Sequence, residues 1–325
     1  MKQITDTILM VRPRHFGYDP ETASNNAFQV NDRSLSTLEI EEKARQEFDQ
    51  FVDCLRQVDI QIIVVEDTDQ PKKLDAVFPN NWFTTHENGS IITYPLCPSN
   101  RRTERRPDII DLLIENFNVR KHIRLEHLER RGLFLEGTGS MIMDRPNQLV
   151  YACRSARTDE TVLDDFIEIT GYEPHMFNAT DEDNFPIYHT NVMMALGETF
   201  VVIVLDTIRS PLEREELLSS FDRTNKDVIE LSMEQMKSFA GNMLQVRNQR
   251  GESFLVMSSQ AYESLRPDQI QKIQSHTNIL HSPIPTIEKY GGGSARCMMA
   301  EIFLPKYGEQ IVVSKNKAVL SNDPS

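Results

Sequence analysis

CMMAEIFLP, residues 297–305, is an extended apolar run that no second run follows, and DTILMVRP, residues 6–13, is one that none precedes. Paired with each other, the two would close a ring. Between them lie four hairpin patterns. NWFTTHENGSIITYP (81–95) is two extended runs around Glu-Asn-Gly, a favourable turn. SMIMDRPNQLVYACR (140–154) turns at Asp-Arg-Pro-Asn, NVMMALGETFVVIVL (191–205) at Gly-Glu, and NMLQVRNQRGESFLVMS (242–258) at Asn-Gln-Arg-Gly.

Helical periodicity fills the intervals. It spans Leu38–Val58, Thr103–Phe117, Asp159–Ile169, Pro211–Phe221 and Gln260–Gln274, with several starts at Ser, Thr or Pro caps. Short apolar runs come next: IQIIVV (60–65), HIRLEHL (122–128), EPHMF (173–177), DVIEL (227–231) and TNILHS (277–282). Successive hairpins are spaced by roughly fifty residues, a spacing typical of blades and arrays. The chain therefore reads as an α/β protein of five strand-strand-helix-strand units. Closing them radially removes the sheet edges. No low-complexity linker interrupts the pattern, so a single domain over residues 1–325 is expected.

Composition narrows the function. The chain has 325 residues, 39% hydrophobic and 26% charged, enough to bury a core. A formal net charge of -14 argues against a nucleic-acid partner, which calls for a basic face. The one dense basic cluster, Arg101, Arg102, Arg105 and Arg106 around Glu104, reads as a solvated loop or helix start. No run approaches the ~18 apolar residues of a membrane span. The four cysteines, Cys54, Cys97, Cys153 and Cys297, form no CxxC pair, which points to a reducing cytoplasm rather than a disulfide framework or a zinc site. The histidines show no metal-ligand spacing, so neither metal nor cofactor is expected. EGTGSM (136–141) lacks the third glycine of a dinucleotide fingerprint and leads into a strand.

The segments leading into the hairpins are polar where a core would be apolar. They are FPNNW (78–82), LEGTGS (135–140), YHTN (188–191), FAGN (239–242) and GGGSARC (291–297). In a closed ring all five face one axis. Glu136, His189 and Cys297 then converge from three different units, with Asn242 a further candidate by repeat position. GGGSARC spends three of the chain's 13 glycines just ahead of a cysteine, consistent with close backbone approach to a ligand.

These residues resemble those of the guanidine-modifying superfamily of arginine deiminases, dimethylarginine hydrolases and amidinotransferases. LEGTGS is similar to its acidic strand approach, YHTN to its histidine approach, GGGSARC to its glycine-rich approach to a cysteine, and SARTD (155–159) to its substrate-carboxylate element. MVRPRHFGYDPETASNNAFQ (10–29) with VFPNNWFTTH (77–86) looks most like the citrulline-utilisation hydrolase subgroup. The resemblance covers nearly the whole chain and implies a pentein fold, a five-bladed ββαβ propeller with pseudo-fivefold symmetry and a central active site. It implies Cys297 as nucleophile, His189 as proton carrier, Glu136 as a ligand of substrate nitrogens and Arg157 as anchor of an α-carboxylate. Asp75, Asn80, Asn81, Asn191 and Gly292 would line the substrate. The partner is then a small amino acid, and a homo-oligomer is left open.

The pattern departs from the superfamily where Asn80, Asn81, Asn191 and Ser140 occupy positions that relatives fill with acids. A buried guanidinium needs carboxylates to offset its desolvation. A neutral ureido group presents both acceptor and donors, which carboxamides match. The expectation is a thiol-dependent hydrolysis of citrulline. Arginine deimination, amidino transfer and a non-catalytic binding role are the alternatives.

Overall fold

The computed structural model describes residues 1–32 and 34–308. Five three-stranded sheets carry all the strands among these residues. The first sheet holds β1 (Thr7–Arg12) and β2 (Gln61–Glu66). The second holds β3 (Phe83–Thr85), β4 (Ser90–Thr93) and β5 (Lys121–Arg124), and the third β6 (Ile142–Asp144), β7 (Leu149–Cys153) and β8 (Glu173–Phe177). The fourth holds β9 (Met194–Leu196), β10 (Phe200–Ile203) and β11 (Asp227–Glu230), and the fifth β12 (Leu244–Arg247), β13 (Ser253–Ser258) and β14 (Asn278–Ser282). The last strand, β15 (Ala300–Glu301), returns to the first sheet.

Each blade is an antiparallel hairpin followed by a helical crossover to a parallel third strand. β15 pairs antiparallel with β1, Ile8 opposite Glu301 and Leu9 opposite Ala300, so the ends of the fold meet as the two unpartnered runs required. This is the five-bladed pentein propeller. β6 contacts β9, β9 contacts β12 and β15 contacts β3, which makes the first strand of each hairpin the inner one. The helices pack on the outer side. In the first blade Phe48, Phe51 and Leu55 of the helix Thr37–Gln57 join Ile8 and Met10 of β1 in one core. Ser36 and Glu39 start that helix as a capping box.

Two helical expectations shift. The periodicity over Gln260–Gln274 resolves into Ser259–Ser264 and Pro267–Gln274. Pro267 disfavours helical geometry at the preceding residue and lacks an N–H, so a second helix starts there. Likewise the helix expected from Thr103 begins at Pro107, after a 3-10 turn over Asn100–Glu104.

Candidate active site

The segments leading to the inner strands are short turns rather than strand starts. Pro79–Asn81, Gly137–Ser140 and Thr190–Met193 each form about one helical turn before β3, β6 and β9. Ser294–Cys297 is likewise a turn, closed by Cys297 N–H on the Ser294 carbonyl at 2.9 Å. A turn projects its polar side chains inward, where a continuing strand would alternate them. The glycines make this possible. Gly292 is left-handed (φ 61°) and caps the helix Pro285–Gly291. A Cβ on Gly291 would lie 2.8 Å from the Phe78 ring, and one on Gly139 would lie 2.6 Å from Asn81 Nδ2 and 2.7 Å from His189 Cε1. These contacts place Asn81 and His189 together on the face of Gly139 that a side chain would occupy.

Glu136 is fully buried and its two oxygens are both in use. Oε1 accepts the Cys97 N–H at 2.8 Å. Oε2 lies 2.8 Å from His189 Nε2 and 3.4 Å from Arg157 Nη1. Burial pushes this carboxyl up, but Arg157 and the His189 hydrogen bond outweigh it and hold it at about 2. An ionised carboxylate only accepts, so Nε2 of His189 carries the ring proton and Nδ1 is the free base. Burial pushes His189 down to about 4 against the pull of Glu136. The resting ring is therefore neutral. A proton it delivers must first be collected.

Cys297 is 4% exposed. Asn242 Nδ2 donates to its sulfur at 3.3 Å and Asn191 Nδ2 at 3.5 Å. The other arm of the Asn191 carboxamide, Oδ1, is buried and has no partner. Asn81 Nδ2 donates to Asn80 Oδ1 at 3.1 Å, and Asn80 Nδ2 to Thr138 Oγ1 at 3.3 Å.

Arg157 spans two tasks. Besides Glu136 it holds the segment near the N-terminus, donating from Nη2 to the Thr22 carbonyl at 2.9 Å and from Nε to Asn25 Oδ1 at 2.7 Å. Its guanidinium also lies over the Tyr188 ring. The same segment is fastened elsewhere. Thr22 Oγ1 donates to Asp75 Oδ2 at 2.8 Å, Asn26 Nδ2 to the Gly292 carbonyl at 3.2 Å, and Gln29 Nε2 to the Gly291 carbonyl at 3.0 Å. Residues 19–29 thus form a cover over the site. Sequence reading quoted this stretch only for its resemblance. Its signal was a run of amides and hydroxyls, TASNNAFQ (22–29), in a segment without periodicity.

One expectation is corrected. Arg101 is not solvated but 3% exposed. Nε and Nη2 bind Glu104 at 2.9 and 2.8 Å, Nη1 donates to Asn81 Oδ1 at 2.9 Å, and Nε is 3.7 Å from Asp75 Oδ2. Glu104 is local, but Asn81 and Asp75 come from elsewhere in the chain, which local charge patterning does not reveal. Burial pushes Asp75 up to about 6 and Glu104 up to about 7, opposed in both by Arg101. Among the described residues no group of three or more His, Cys, Asp or Glu is placed to hold a metal, and no helix is long and apolar enough to cross a membrane.

A family model described as "N,N dimethylarginine dimethylhydrolase, eukaryotic" matches residues 12–304. No curated protein matches the chain. Solved structures do. ArgZ, an arginine dihydrolase from the ornithine-ammonia cycle in cyanobacteria, superposes with a TM-score of 0.69 at 16% identity over 93% of this chain, which spans only 41% of that one. The substrate-bound N-terminal domain of ArgZ matches with a TM-score of 0.69 and 16% identity, over 92% of this chain and 99% of that one. A dimethylarginine dimethylaminohydrolase in an adduct with S-methyl-L-thiocitrulline gives 0.62 at 15% identity, over 92% and 99%. At such identities the likeness is one of fold.

Proposed function

The chain belongs to the N,N dimethylarginine dimethylhydrolase family, hydrolases of C–N bonds, and from that premise we propose that it is a cysteine-dependent hydrolase of a ureido amino acid, citrulline foremost, releasing ornithine, carbon dioxide and ammonia. One observation carries the choice of substrate. The side chains on the Cys297 sulfur are carboxamides, and the nearby carboxylates already face cations, Glu136 facing Arg157 beside His189, and Asp75, through Oδ2, facing Arg101 beside the Thr22 hydroxyl. A neutral ureido group meets donors and acceptors here, including the vacant Asn191 Oδ1, and needs no counter-ion.

In this reading His189 Nδ1 takes the Cys297 proton. The thiolate attacks the ureido carbon to give a tetrahedral intermediate. The imidazolium, steadied by Glu136, returns the proton to the δ-nitrogen as the C–N bond breaks and ornithine leaves. An S-carbamoyl group remains. Water, deprotonated by His189, attacks it and the C–S bond breaks. The thiol is regenerated, and the carbamate released falls apart to carbon dioxide and ammonia. Asp75, Arg101 and Arg157 lie on the same side as the cover and suit the charged amino-acid end of the substrate once the cover moves.

A second reading is hydrolysis of a guanidino substrate, arginine or a methylated arginine. It is favoured by Asp75 Oδ1, a buried carboxylate oxygen without a partner. The deciding experiment incubates the purified chain, and its Cys297→Ala variant, with citrulline, arginine and dimethylarginine, and measures ornithine, citrulline and ammonia. Ornithine from citrulline, abolished in the variant, is expected. Citrulline accumulating from either arginine, with no ornithine, overturns the ureido reading in favour of the second. Binding without turnover of any of the three overturns both.

A further inference from the structure

Asn242 lies in none of the motifs that carry the resemblance, yet its side chain makes the closest hydrogen bond to the nucleophile. It is 1% exposed, at the end of the turn that leads into β12, the inner strand of the fifth blade. One carboxamide does three things. Nδ2 donates to Cys297 Sγ at 3.3 Å and to the Asn191 carbonyl at 2.9 Å. Oδ1 accepts the Arg296 N–H at 3.0 Å. Oδ1 is also 3.7 Å from the sulfur, within reach of an S–H. The group therefore ties the cysteine turn, which leads into β15 of the first blade, to the lead-in turn of the fourth blade, and it can serve the sulfur in both protonation states.

The surrounding backbone is built to hold it there. Phe239, three residues earlier, sits in the left-handed region (φ 59°), a costly conformation for a bulky side chain. Asn242 N–H closes the turn on the Phe239 carbonyl at 2.9 Å. Gly241 passes so close to the fourth blade that a Cβ would lie 2.2 Å from the Val192 carbonyl oxygen. A strained turn pressed against a neighbouring blade, with a fully bonded carboxamide at its end, fixes that carboxamide's position. No cation is hydrogen-bonded to the sulfur among the described residues. Its partners are Asn242 and Asn191.

We propose that Asn242 is the positioning residue of the nucleophile, a carboxamide that orients the Cys297 sulfur and stabilises its thiolate through N–H dipoles rather than through a fixed positive charge. This rests on the reading of Cys297 as nucleophile. A hydrogen bond to a charged group is stronger than one to a neutral group, so losing this donor disfavours the thiolate selectively.

The test follows alkylation of Cys297 by iodoacetamide, a reagent close in size to the ureido group, as a function of pH, with peptide mass analysis separating Cys297 from the other cysteines. Asn242→Asp keeps an acceptor for Arg296 but removes the donor and sets a carboxylate beside the sulfur, so that it gives the upper bound of the shift and Asn242→Ala, which adds no charge, the effect of the donor alone. The Asn242→Asp alkylation profile should move to higher pH by about one unit, roughly tenfold slower reaction at neutral pH. kcat on citrulline should fall while KM stays nearly constant, because the sulfur and not the substrate has lost its partner. Asn242→Gln, which retains both polar groups, should recover part of the shift. Asn191→Ala removes the longer donor without touching the Arg296 tether, and should shift the profile the same way by less. Profiles unchanged in the folded variants overturn the proposal. If Asn242→Asp does not fold, an unchanged profile in Asn191→Ala overturns it. A wild-type chain in which Cys297 is not alkylated overturns the nucleophile reading instead.

Discussion

The Glu136 half of the site and the Cys297 half are made of different materials. Around Glu136 the groups are ionic: Arg157, Arg101, Asp75 and Glu104, all buried. Around Cys297 they are carboxamides, Asn191 and Asn242. A buried charge is tolerated only when paired, and a paired charge holds its partner in one geometry. The ionic half thus assembles the turns and fastens the cover over residues 19–29. The carboxamide half leaves the reacting sulfur among neutral dipoles, which can follow a proton or a thiolate without rearranging.

The sharpest way to break that contrast is to remove charge from the ionic half. Glu136→Gln turns one of the two acceptor oxygens shared by Cys97 N–H and His189 into a donor, removes the charge that steadies an imidazolium, and leaves Arg157 without its carboxylate. kcat should fall by about 10²–10⁴, the range for losing positioned acid-base catalysis. Stripping one partner from a buried pair should cost about 3–5 kcal/mol of stability, read as a lower urea midpoint. If Glu136→Gln keeps its activity, Glu136 neither orients His189 nor matters to the chemistry.

A smaller effect is expected from adding charge where the site is neutral. In Asn81→Asp the donor to Asn80 Oδ1 is lost and a carboxylate is placed beside His189, on the same face of Gly139. Citrulline kcat/KM should drop by up to about tenfold, the equivalent of one neutral hydrogen bond. Activity on arginine should fall less or rise. Equal losses on both substrates would show that Asn81 supports the turn through Arg101 and does not select the substrate.

The two halves were not equally legible in the sequence. The propeller was readable because hairpin turns, alternating runs and helix caps are local, and because two unpartnered strands had one way to close. The convergence of Glu136, His189 and Cys297 followed from the repeat and the resemblance. The ionic half was not readable. Arg101 sits in a charged run that resembles any solvated turn, and its partners Asp75 and Asn81 are brought to it only by packing of the turn Pro79–Asn81. The sequence also gave no sign that the oxygens of Glu136 are taken by Cys97, His189 and Arg157, or that Arg157 holds the cover. The triple glycine turned out to have two uses: Gly292 for a left-handed cap, and Gly291 and Gly293 for packing on Phe78.

The last prediction concerns Glu288, a carboxylate behind the Cys297 half with no ion pair among the described residues. Glu288, on the helix just before the glycines, takes the Ser294 hydroxyl on Oε1 at 2.6 Å, while Oε2 is buried without a partner. Burial pushes its carboxyl up to about 7, with a further push from Glu47. Since the folded value lies above the ordinary 4.5, the folded chain holds this proton over a range where the unfolded chain has released it. Stability attributable to this group is therefore highest below about pH 4.5 and declines as pH rises towards 7, by about 3 kcal/mol at most. Gln imitates the protonated acid and cannot ionise. Thermal melting of wild type and Glu288→Gln should coincide near pH 5 and diverge in favour of the variant by pH 8. A constant difference across that range would mean that Glu288 finds a counter-charge in solution, and the neutral character of the Cys297 half would then stop at its carboxamides.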